Sequence, residues 1–123
     1  MVERRRKMNE KLKHHKLIVT IVKKGWARKV VKASKEAGAK GATVLFAKGT
    51  GVHEIKSFLG IDIEREKEVI LTLVPEDQFE QVLVSIEKSG KLDKPGNGVG
   101  FVLNTKNIAG ICHLLQQNSS SFL

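Results

Sequence analysis

The chain has 123 residues and a formal net charge of +9 at pH 7, with one Cys, no Tyr and 41% hydrophobic residues. This length fits a single domain, and one cysteine excludes both an internal disulfide framework and a four-cysteine zinc site. Because no apolar run reaches the roughly 18 residues of a membrane span and the N-terminus lacks a signal-peptide core, we expect no membrane insertion and a cytoplasmic location.

The positive charge is concentrated at the N-terminus. Residues 1–16 contain seven of the 22 Lys and Arg residues and two of the 13 acidic residues, so they supply +5 of the net charge. We predict that residues 1–15 form a flexible basic extension. A solvated arm is the common role of such a segment, and contact with nucleic acid or an anionic membrane is the alternative.

The first half of the sequence predicts a strand, a helix and a second strand. The run LIVTIV at 17–22 is β-branched and apolar, which is typical of a strand inside a sheet. Apolar residues recur at helical spacing over 26–37, and Gly38 follows where a helix-ending glycine belongs. ATVLFA at 42–47 predicts the second strand, and the polar segment 49–66 predicts a long loop.

The second half repeats this plan. EVILTLV at 68–74 predicts a third strand, and Pro75 with the two acids after it suits a helix N-terminus. The helix is expected to end at Gly90, and VGFVLNT at 99–105 predicts a fourth strand. The order β-α-β-β-α-β follows from these elements.

This order predicts an α+β fold, a ferredoxin-like sandwich with four antiparallel strands and both helices on one face. Strands this apolar would expose too much hydrophobic surface on the other face, so we predict a homotrimer that covers it. The apolar segment 108–115 is expected to join that packing. The predicted domain spans residues 16–117, and residues 118–123 form a flexible tail.

Residues suited to catalysis are scarce. His14 and His15 lie in the basic arm and His53 in the long loop, while Cys112 and His113 are neighbours, which point to opposite faces in a strand. The sequence has no Gly-x-Ser-x-Gly elbow, no Walker lysine motif and no zincin histidine pair. We therefore expect neither an enzyme nor a metal site.

Two glycine clusters indicate a function more strongly than these candidate catalytic residues do. GTG at 49–51 follows the second strand, and GNG at 96–98 precedes the fourth. Successive backbone N–H groups in such loops can bind an anion. Plain turns are the more common role of glycine, and neither cluster has the strand-then-helix context of a dinucleotide-binding fingerprint.

Four stretches, in this order, resemble the P-II nitrogen-regulatory signal-transduction family: EAGAKGATV at 36–44, KGTG at 48–51, VILTLVPED at 69–77 and SGKLDKPGNGVGFV at 89–102. The resemblance implies a regulatory, non-enzymatic trimer of ferredoxin-like subunits. Such a trimer holds ATP or ADP in clefts between subunits and contacts enzymes, transporters or transcription regulators through a long loop, often with 2-oxoglutarate as co-effector.

The resemblance also implies site residues. Those expected to bind the nucleotide are Thr43 near the base, together with Gly49, Gly51, Lys91, Gly96, Asn97 and Gly98. The segment 49–66 matches the family's signalling loop, and the residues expected to dock on an unidentified target protein are His53, Ile55, Phe58 and Leu59. No cofactor is required, and an adenine nucleotide is the expected effector.

Three departures from the family pattern modify these expectations. The absence of Tyr excludes uridylylation of a loop tyrosine. The family's loop glutamine aligns near His53, which argues against 2-oxoglutarate. The basic residues that reach the phosphates align with Val99, Gly110 and Cys112, so the predicted nucleotide affinity is weak, at best micromolar, because charge-assisted hydrogen bonds are lost.

Three other functions are left open by the sequence. A trimer without a ligand would act by protein interaction alone, and the missing phosphate-contacting charges favour it. A nucleic-acid-binding module would use the basic arm, but the scarcity of aromatic residues on the strands argues against it. A small phosphatase-like enzyme would need an arginine beside an asparagine, and only Asn104 stands out.

Overall fold

The computed structural model describes residues 2–4, 14–52, 54 and 57–110. Residues 2–4 are helical, and the elements that follow are β1 (His15–Lys23), α1 (Ala27–Glu36), β2 (Thr43–Gly49), β3 (Ser57–Phe58), β4 (Ile61–Asp62), β5 (Arg65–Pro75), α2 (Phe79–Ser89) and β6 (Gly98–Asn104). Most of the predicted N-terminal extension, the C-terminal tail, Cys112 and His113 lie outside the described residues. No helix in the described ranges is long and apolar enough to cross a membrane.

The four longer strands form one antiparallel sheet in the order β2-β5-β1-β6. β1 pairs with β5 from His15 opposite Pro75 to Lys23 opposite Lys67, and its other edge pairs with β6. Both helices contact each other and the same face of this sheet. The predicted ferredoxin-like architecture, with four antiparallel strands in an α+β fold, is confirmed.

The core lies on the covered face, the face of the sheet on which α1 and α2 pack. Alternate residues of β1 and β5 are buried there because side chains alternate along a strand. The buried apolar side chains from strands and helices include Ile18, Val22, Ile70, Val74, Val30, Val82 and Ile86. Thr20 and Thr72 are buried among them, and their hydroxyl groups have no hydrogen-bond partner in the described part of the chain.

A side chain from β5 caps the start of α1. Trp26, at the N-cap position, makes no side-chain cap hydrogen bond. Glu68 Oε1 accepts hydrogen bonds from the N–H groups of Gly25 at 2.6 Å and Ala27 at 3.1 Å. A carboxylate at this end satisfies free helix donors and interacts favourably with the helix dipole. The cap therefore joins α1 to the sheet although the local sequence offers no capping residue.

The open face is the opposite face of the sheet, and it is also apolar. Val19 of β1 pairs with Leu71 of β5 and with Phe101 of β6. Val99, Phe101 and Leu103, which alternate along β6, are all exposed. No element in the described part of the chain covers this face. Residues 111–115 of the apolar segment 108–115, which is predicted to join the packing there, lie outside the described residues.

The chain around Pro75 differs from the prediction. Pro75 is the last residue of β5 and pairs with His15, and α2 begins only at Phe79. The Glu76 N–H donates to the His14 carbonyl at 2.8 Å, so the strand pairing continues past the proline. β2 pairs with β5 only as far as Leu71, so the missing N–H of the proline faces no partner strand. The prediction that Pro75 begins the helix is wrong.

The long connection is shorter than predicted. β2 extends to Gly49 and β5 starts at Arg65, which leaves residues 50–64, here called the 50–64 segment. Within it, β3 and β4 form a small antiparallel hairpin closed by Leu59 and Gly60. Both turn residues have positive φ, 52° and 80°, as a type I′ turn requires.

Candidate functional site

A cavity of about 430 Å³ lies at the end of the sheet where β2 and β1 finish and β5 and β6 begin. All of the glycines predicted to bind a nucleotide line it, which are Gly49, Gly51, Gly96 and Gly98. The antiparallel topology places the two clusters at the same end of the sheet, because the end of β2 and the start of β6 both lie there. The remaining lining residues are Ile21, Ala47, Lys48, Thr50, Val52, Glu54, Lys67, Val69 and Val99.

Gly98 has a structural requirement of its own. Its φ is +150°, and a Cβ atom built there would lie 2.3 Å from the Ile21 carbonyl oxygen. A side chain at this position would therefore push β6 away from β1. Because of this clash, a substitution at Gly98 would test the fold as much as the binding of a ligand.

Lys91 and Asn97 do not line the cavity. Lys91 adopts a positive φ of 50° in the turn after α2. The Asn97 side-chain amide donates to the Lys91 carbonyl oxygen at 3.0 Å, which fixes the shape of the loop between α2 and β6. These two predicted binding residues shape the loop that carries Gly96 and Gly98.

Thr43 is remote from the glycines of its own chain. It begins the seven-residue strand β2 and Gly49 ends it, which separates the two residues by about 20 Å at strand spacing. The exposed Thr43 pairs with Leu71, near the middle of β5. Within one chain, therefore, the cavity is formed without Thr43.

A carboxylate inside the cavity is the feature that sequence reasoning missed. The Glu54 side chain is only 7% exposed, and its Oε1 accepts a hydrogen bond from the Gly51 N–H at 2.8 Å. The Lys67 ammonium donates to the same oxygen, and the Arg65 Nε lies 3.3 Å from Oε2. The Lys67 hydrogen bond, reinforced by the Gly51 N–H, holds the pKa of Glu54 below its usual value.

One signal in the sequence could have identified this cluster. Lys67 lies on the same face of β5 as Arg65, Val69, Leu71 and Leu73, so it is a cation next to an otherwise apolar alternation. A cation at such a position needs a partner when it is desolvated. Finding Glu54 as that partner requires the three-dimensional fold, since the two residues are 13 positions apart.

A second cavity of about 410 Å³ adjoins the first and shares Ala47, Lys48 and Lys67 with it. Lys24 and Glu66 face each other on its wall, with 2.8 Å between Nζ and Oε2. Hydrogen bonding to Lys24 lowers the pKa of Glu66. The two cavities together place Lys24, Lys48 and Lys67 at the same end of the sheet.

The predicted docking residues fall in two groups. His53 and Ile55 lie outside the described residues. Phe58 and Leu59 lie in the hairpin of the 50–64 segment, where both are exposed, and Leu59 is 86% exposed. Among the described residues, no group of three or more His, Cys, Asp or Glu side chains is placed to hold a metal ion.

The chain resembles known proteins in both sequence and fold. The family model described as Nitrogen regulatory protein P-II matches residues 15–112. The crystal structure of Arabidopsis thaliana PII bound to citrate is similar, with a TM-score of 0.64 and 23% sequence identity, covering 80% of this chain and 83% of that chain. At this identity the structural likeness concerns the fold. A search of curated protein sequences gave no match.

Proposed function

The chain belongs to the P-II nitrogen regulatory protein family, and from this premise we propose that it senses an adenine nucleotide in the glycine-lined cavity and signals to a target protein through the 50–64 segment. Proteins of this family are regulatory signal transducers and not enzymes, which confirms the expectation that the chain is not an enzyme. The proposal adds the effector, the trimer, the target and a role in nitrogen regulation in the cytoplasm.

One observation carries the proposal, namely that all four glycines of two distant sequence clusters line a single cavity. Its volume of about 430 Å³ is within the range of about 300–1,000 Å³ that small-molecule sites occupy. Glycine backbones can approach phosphates closely, and Lys48 and Lys67 add positive charge to the wall. These are the groups that a nucleotide phosphate chain needs.

The proposed assembly is a homotrimer built on the open face. An apolar face that crosses β1, β5 and β6 supports this, since water would otherwise contact Val99, Phe101 and Leu103. Thr43 does not line the cavity of its own chain, and in the proposed trimer a neighbouring subunit would supply it. The nucleotide site would then lie in a cleft between subunits.

The proposed contact with the target uses the hairpin of the 50–64 segment. Phe58 and Leu59 are exposed, and both ends of the segment join strands of the sheet beside the cavity. An exposed aromatic residue next to an exposed leucine is a suitable anchor for a protein interface. A ligand in the cavity would contact the base of the segment that holds them.

The test is nucleotide binding by the full chain and by two glycine variants. Gly49→Val places a side chain on the cavity side of β2, and Gly41→Val is the control, since a Cβ atom at either glycine meets nothing within 4 Å. A ligand that binds only the native state raises its melting temperature. We expect ADP or ATP to stabilise the wild type and Gly41→Val but not Gly49→Val. Stabilisation of all three proteins would place the nucleotide elsewhere.

A ligand-free interaction trimer is the second candidate. One observation favours it: Val99, an apolar side chain, lines the cavity at the position where the family resemblance expects a phosphate-contacting lysine. In that case neither ADP nor ATP would shift the melting temperature, while sedimentation would still show a trimer.

A further inference from the structure

The solvent side of α1 carries a row of cations, here called the α1 stripe, which consists of Arg28, Lys29, Lys32 and Lys35. All four residues are exposed. Residues three or four positions apart lie on one face of a helix, which aligns Arg28, Lys32 and Lys35 along its length. Glu36, the last residue of α1, is the one acid in the helix. The outer side of α1 is therefore strongly positive.

The α1 stripe has no acidic partner within the described part of the chain. None of the ion pairs formed there includes one of its four cations. The Lys29 ammonium lies 5.5 Å from the centre of the Trp26 ring. The Glu68 carboxylate at the start of α1 accepts from the N–H groups of Gly25 and Ala27. The charge of the stripe is therefore left facing the solvent.

This arrangement is unfavourable for the helix itself. The first turn of α1 contains no acid, although the N-terminal end of a helix favours negative charge. Cations three or four positions apart also repel one another. In contrast, α2 has Glu80 in its first turn and Lys88 in its last. Because α2 follows the charge rule that α1 breaks in the same fold, helix stability does not explain the stripe. Departures of this kind are expected at functional surfaces.

The chemistry of the α1 stripe indicates its partner. No large apolar side chain of α1 is exposed, because the apolar residues of this helix pack in or against the core. A helix that binds a membrane surface inserts apolar side chains among the lipids, and a protein interface is centred on aromatic or apolar anchors. The stripe offers neither. Phosphates on the outside of a double helix need only cations and hydrogen-bond donors.

We infer that the α1 stripe binds the phosphate backbone of double-stranded DNA without reading its sequence. DNA carries one negative charge per roughly 1.7 Å of its axis, and the ten residues of α1 span about 15 Å, so the stripe meets several phosphates at once. The scarcity of aromatic residues argues against stacking of single-stranded bases on the sheet and has no bearing on phosphate contacts. This activity goes beyond the proposed function, since it uses neither the cavity nor the 50–64 segment.

The place of α1 in the fold leaves the stripe accessible. The helix packs on the covered face, whereas the proposed homotrimer uses the open face. β1 and β2 are both antiparallel to β5 and so parallel to each other, which means that α1 returns toward the end of the sheet where β1 begins. The N-terminal residues 1–16, with seven Lys and Arg, join the sheet at that end. Both segments add positive charge for a long anionic partner.

The experiment measures binding of the full chain to a mixed-sequence DNA duplex by fluorescence anisotropy at several salt concentrations. The double variant Lys32→Gln with Lys35→Gln removes two charges of the stripe and keeps a good helix former at both positions. Its control, Lys88→Gln with Lys106→Gln, removes the same charge at exposed positions outside α1. We expect the wild type and the control to bind alike.

The double variant of the stripe should bind the duplex at least about tenfold more weakly at low salt. The slope of log K against log salt should become shallower by about two, roughly 0.9 for each lost phosphate contact. The melting temperature of this variant should not fall, because repulsion between Lys32 and Lys35 is relieved. A loss of binding would then not result from unfolding.

A measurement on the wild type requires no substitution. Exposed lysines are acetylated with and without the duplex, and mass spectrometry gives the extent of modification at each. We expect the duplex to protect Lys32 and Lys35 and to leave Lys88 and Lys106 as reactive as before. Equal reactivity of all four lysines in the presence and absence of DNA overturns the inference.

The other outcomes are equally decisive. The inference fails if the wild type does not bind the duplex at low salt, or if both double variants lose affinity to the same extent, which would indicate attraction by net charge alone. Vesicles of phosphatidylserine and phosphatidylcholine test the membrane as partner. If the wild type binds these vesicles and not the duplex, the DNA assignment is wrong. None of these results depends on the nucleotide, which the melting temperatures of the glycine variants test separately.

Discussion

The two faces of the sheet both carry apolar side chains, but these side chains differ in what covers them. On the covered face, Ile18 and Ile70 are fully buried under helices of the same chain. On the open face, Val19 and Leu71 alternate with them, and Phe101 next to these residues remains 44% exposed. Because both faces are apolar and only one is covered by the described part of the chain, folding of a subunit explains only half of the pattern.

The covered face has the packing and capping expected of a folded core, whereas the open face has features that are unfavourable in an isolated chain. Under the helices, apolar side chains pack and the free end of α1 receives its cap from Glu68. At the open face and its edge, the chain keeps an exposed phenylalanine, a buried ion pair and a leucine with positive φ. Such departures are expected at assembly and ligand sites, where a partner supplies the missing interaction.

The largest effect is expected on the covered face. Ile70→Ala leaves a cavity under the helices and should lower the free energy of unfolding by about 2–5 kcal/mol, measured by urea denaturation at several protein concentrations. Leu71→Ala, one residue along the same strand, is the matched change on the open face. Its cost should appear mainly as a loss of stability that depends on protein concentration. Equal, concentration-independent losses would show that the two faces do not differ.

The second effect concerns the open face itself. Phe101→Arg buries a charge in the proposed subunit interface and should weaken association by about 2 kcal/mol or more per contact, on the order of thirtyfold. Sedimentation at micromolar concentration should show a trimer for the wild type and a monomer for the variant.

Val84→Arg is the control for this change. Val84 is 45% exposed, almost the same as Phe101, but it lies on α2, away from the open face. We expect this variant to remain trimeric. Loss of the trimer in both variants would point to a general effect of the added charge, and a monomeric wild type would refute the assembly altogether.

The order of strands and helices could be predicted because each element has its own local pattern. The run at 17–22 and the helical spacing over 26–37 led to β1 and α1, and the glycine clusters led to the cavity. The start of α2 could not be predicted from Pro75, because the pairing of Glu76 with His14 across the sheet overrides the local helix signal.

The site was predictable only where it depends on local chemistry. GTG at 49–51 and GNG at 96–98 are visible in the sequence, and the topology brings them together. The Glu54–Lys67 pair depends on how the 50–64 segment folds onto β5, which no periodicity encodes. The separation of Thr43 from Gly49 likewise follows from the length of β2.

A third prediction concerns pH, which should change the contribution of the Glu54–Lys67 ion pair to stability but not the contribution of the apolar core. The pKa of Glu54 in the folded chain is below its usual 4.5, so the unfolded chain binds more protons at acidic pH. The charged pair therefore contributes stability above about pH 5, and this contribution is lost as pH falls through the lowered pKa. The free energy of unfolding of the wild type should exceed that of Glu54→Gln by about 1–2 kcal/mol at neutral pH.

Chemical denaturation between pH 3 and pH 7 measures this difference, which should shrink toward zero at the acidic end. Glu66→Gln is the control, because Glu66 also has a lowered pKa through its contact with Lys24 but lies exposed. Exposed pairs contribute little to stability, so the free energy of unfolding of this variant should be close to that of the wild type at every pH. A difference for Glu54→Gln that does not vary with pH would mean that its carboxylate acts through shape and not through charge.

The smallest effect is expected at the tip of the hairpin. Leu59 has φ of 52° and is 86% exposed, so it carries the strain of a left-handed residue without burying its side chain in the described part of the chain. Asn is preferred at this position of a type I′ turn. Leu59→Asn should therefore stabilise the hairpin by a few tenths of a kcal/mol, roughly a twofold increase in the protection of its amides from hydrogen exchange.

The melting temperature of Leu59→Asn should stay within about 2 °C of the wild type, because a two-stranded hairpin is only marginally stable and opens apart from the core. Phe58→Ala, at the neighbouring exposed position, should leave the melting temperature equally unchanged. If Leu59→Asn instead lowers it by about 5 °C, Leu59 is packed against another subunit, and the hairpin belongs with the open face as part of the assembly. If the temperature holds and the hairpin gains protection, the leucine has no role in stability, which favours its use as an anchor for the target.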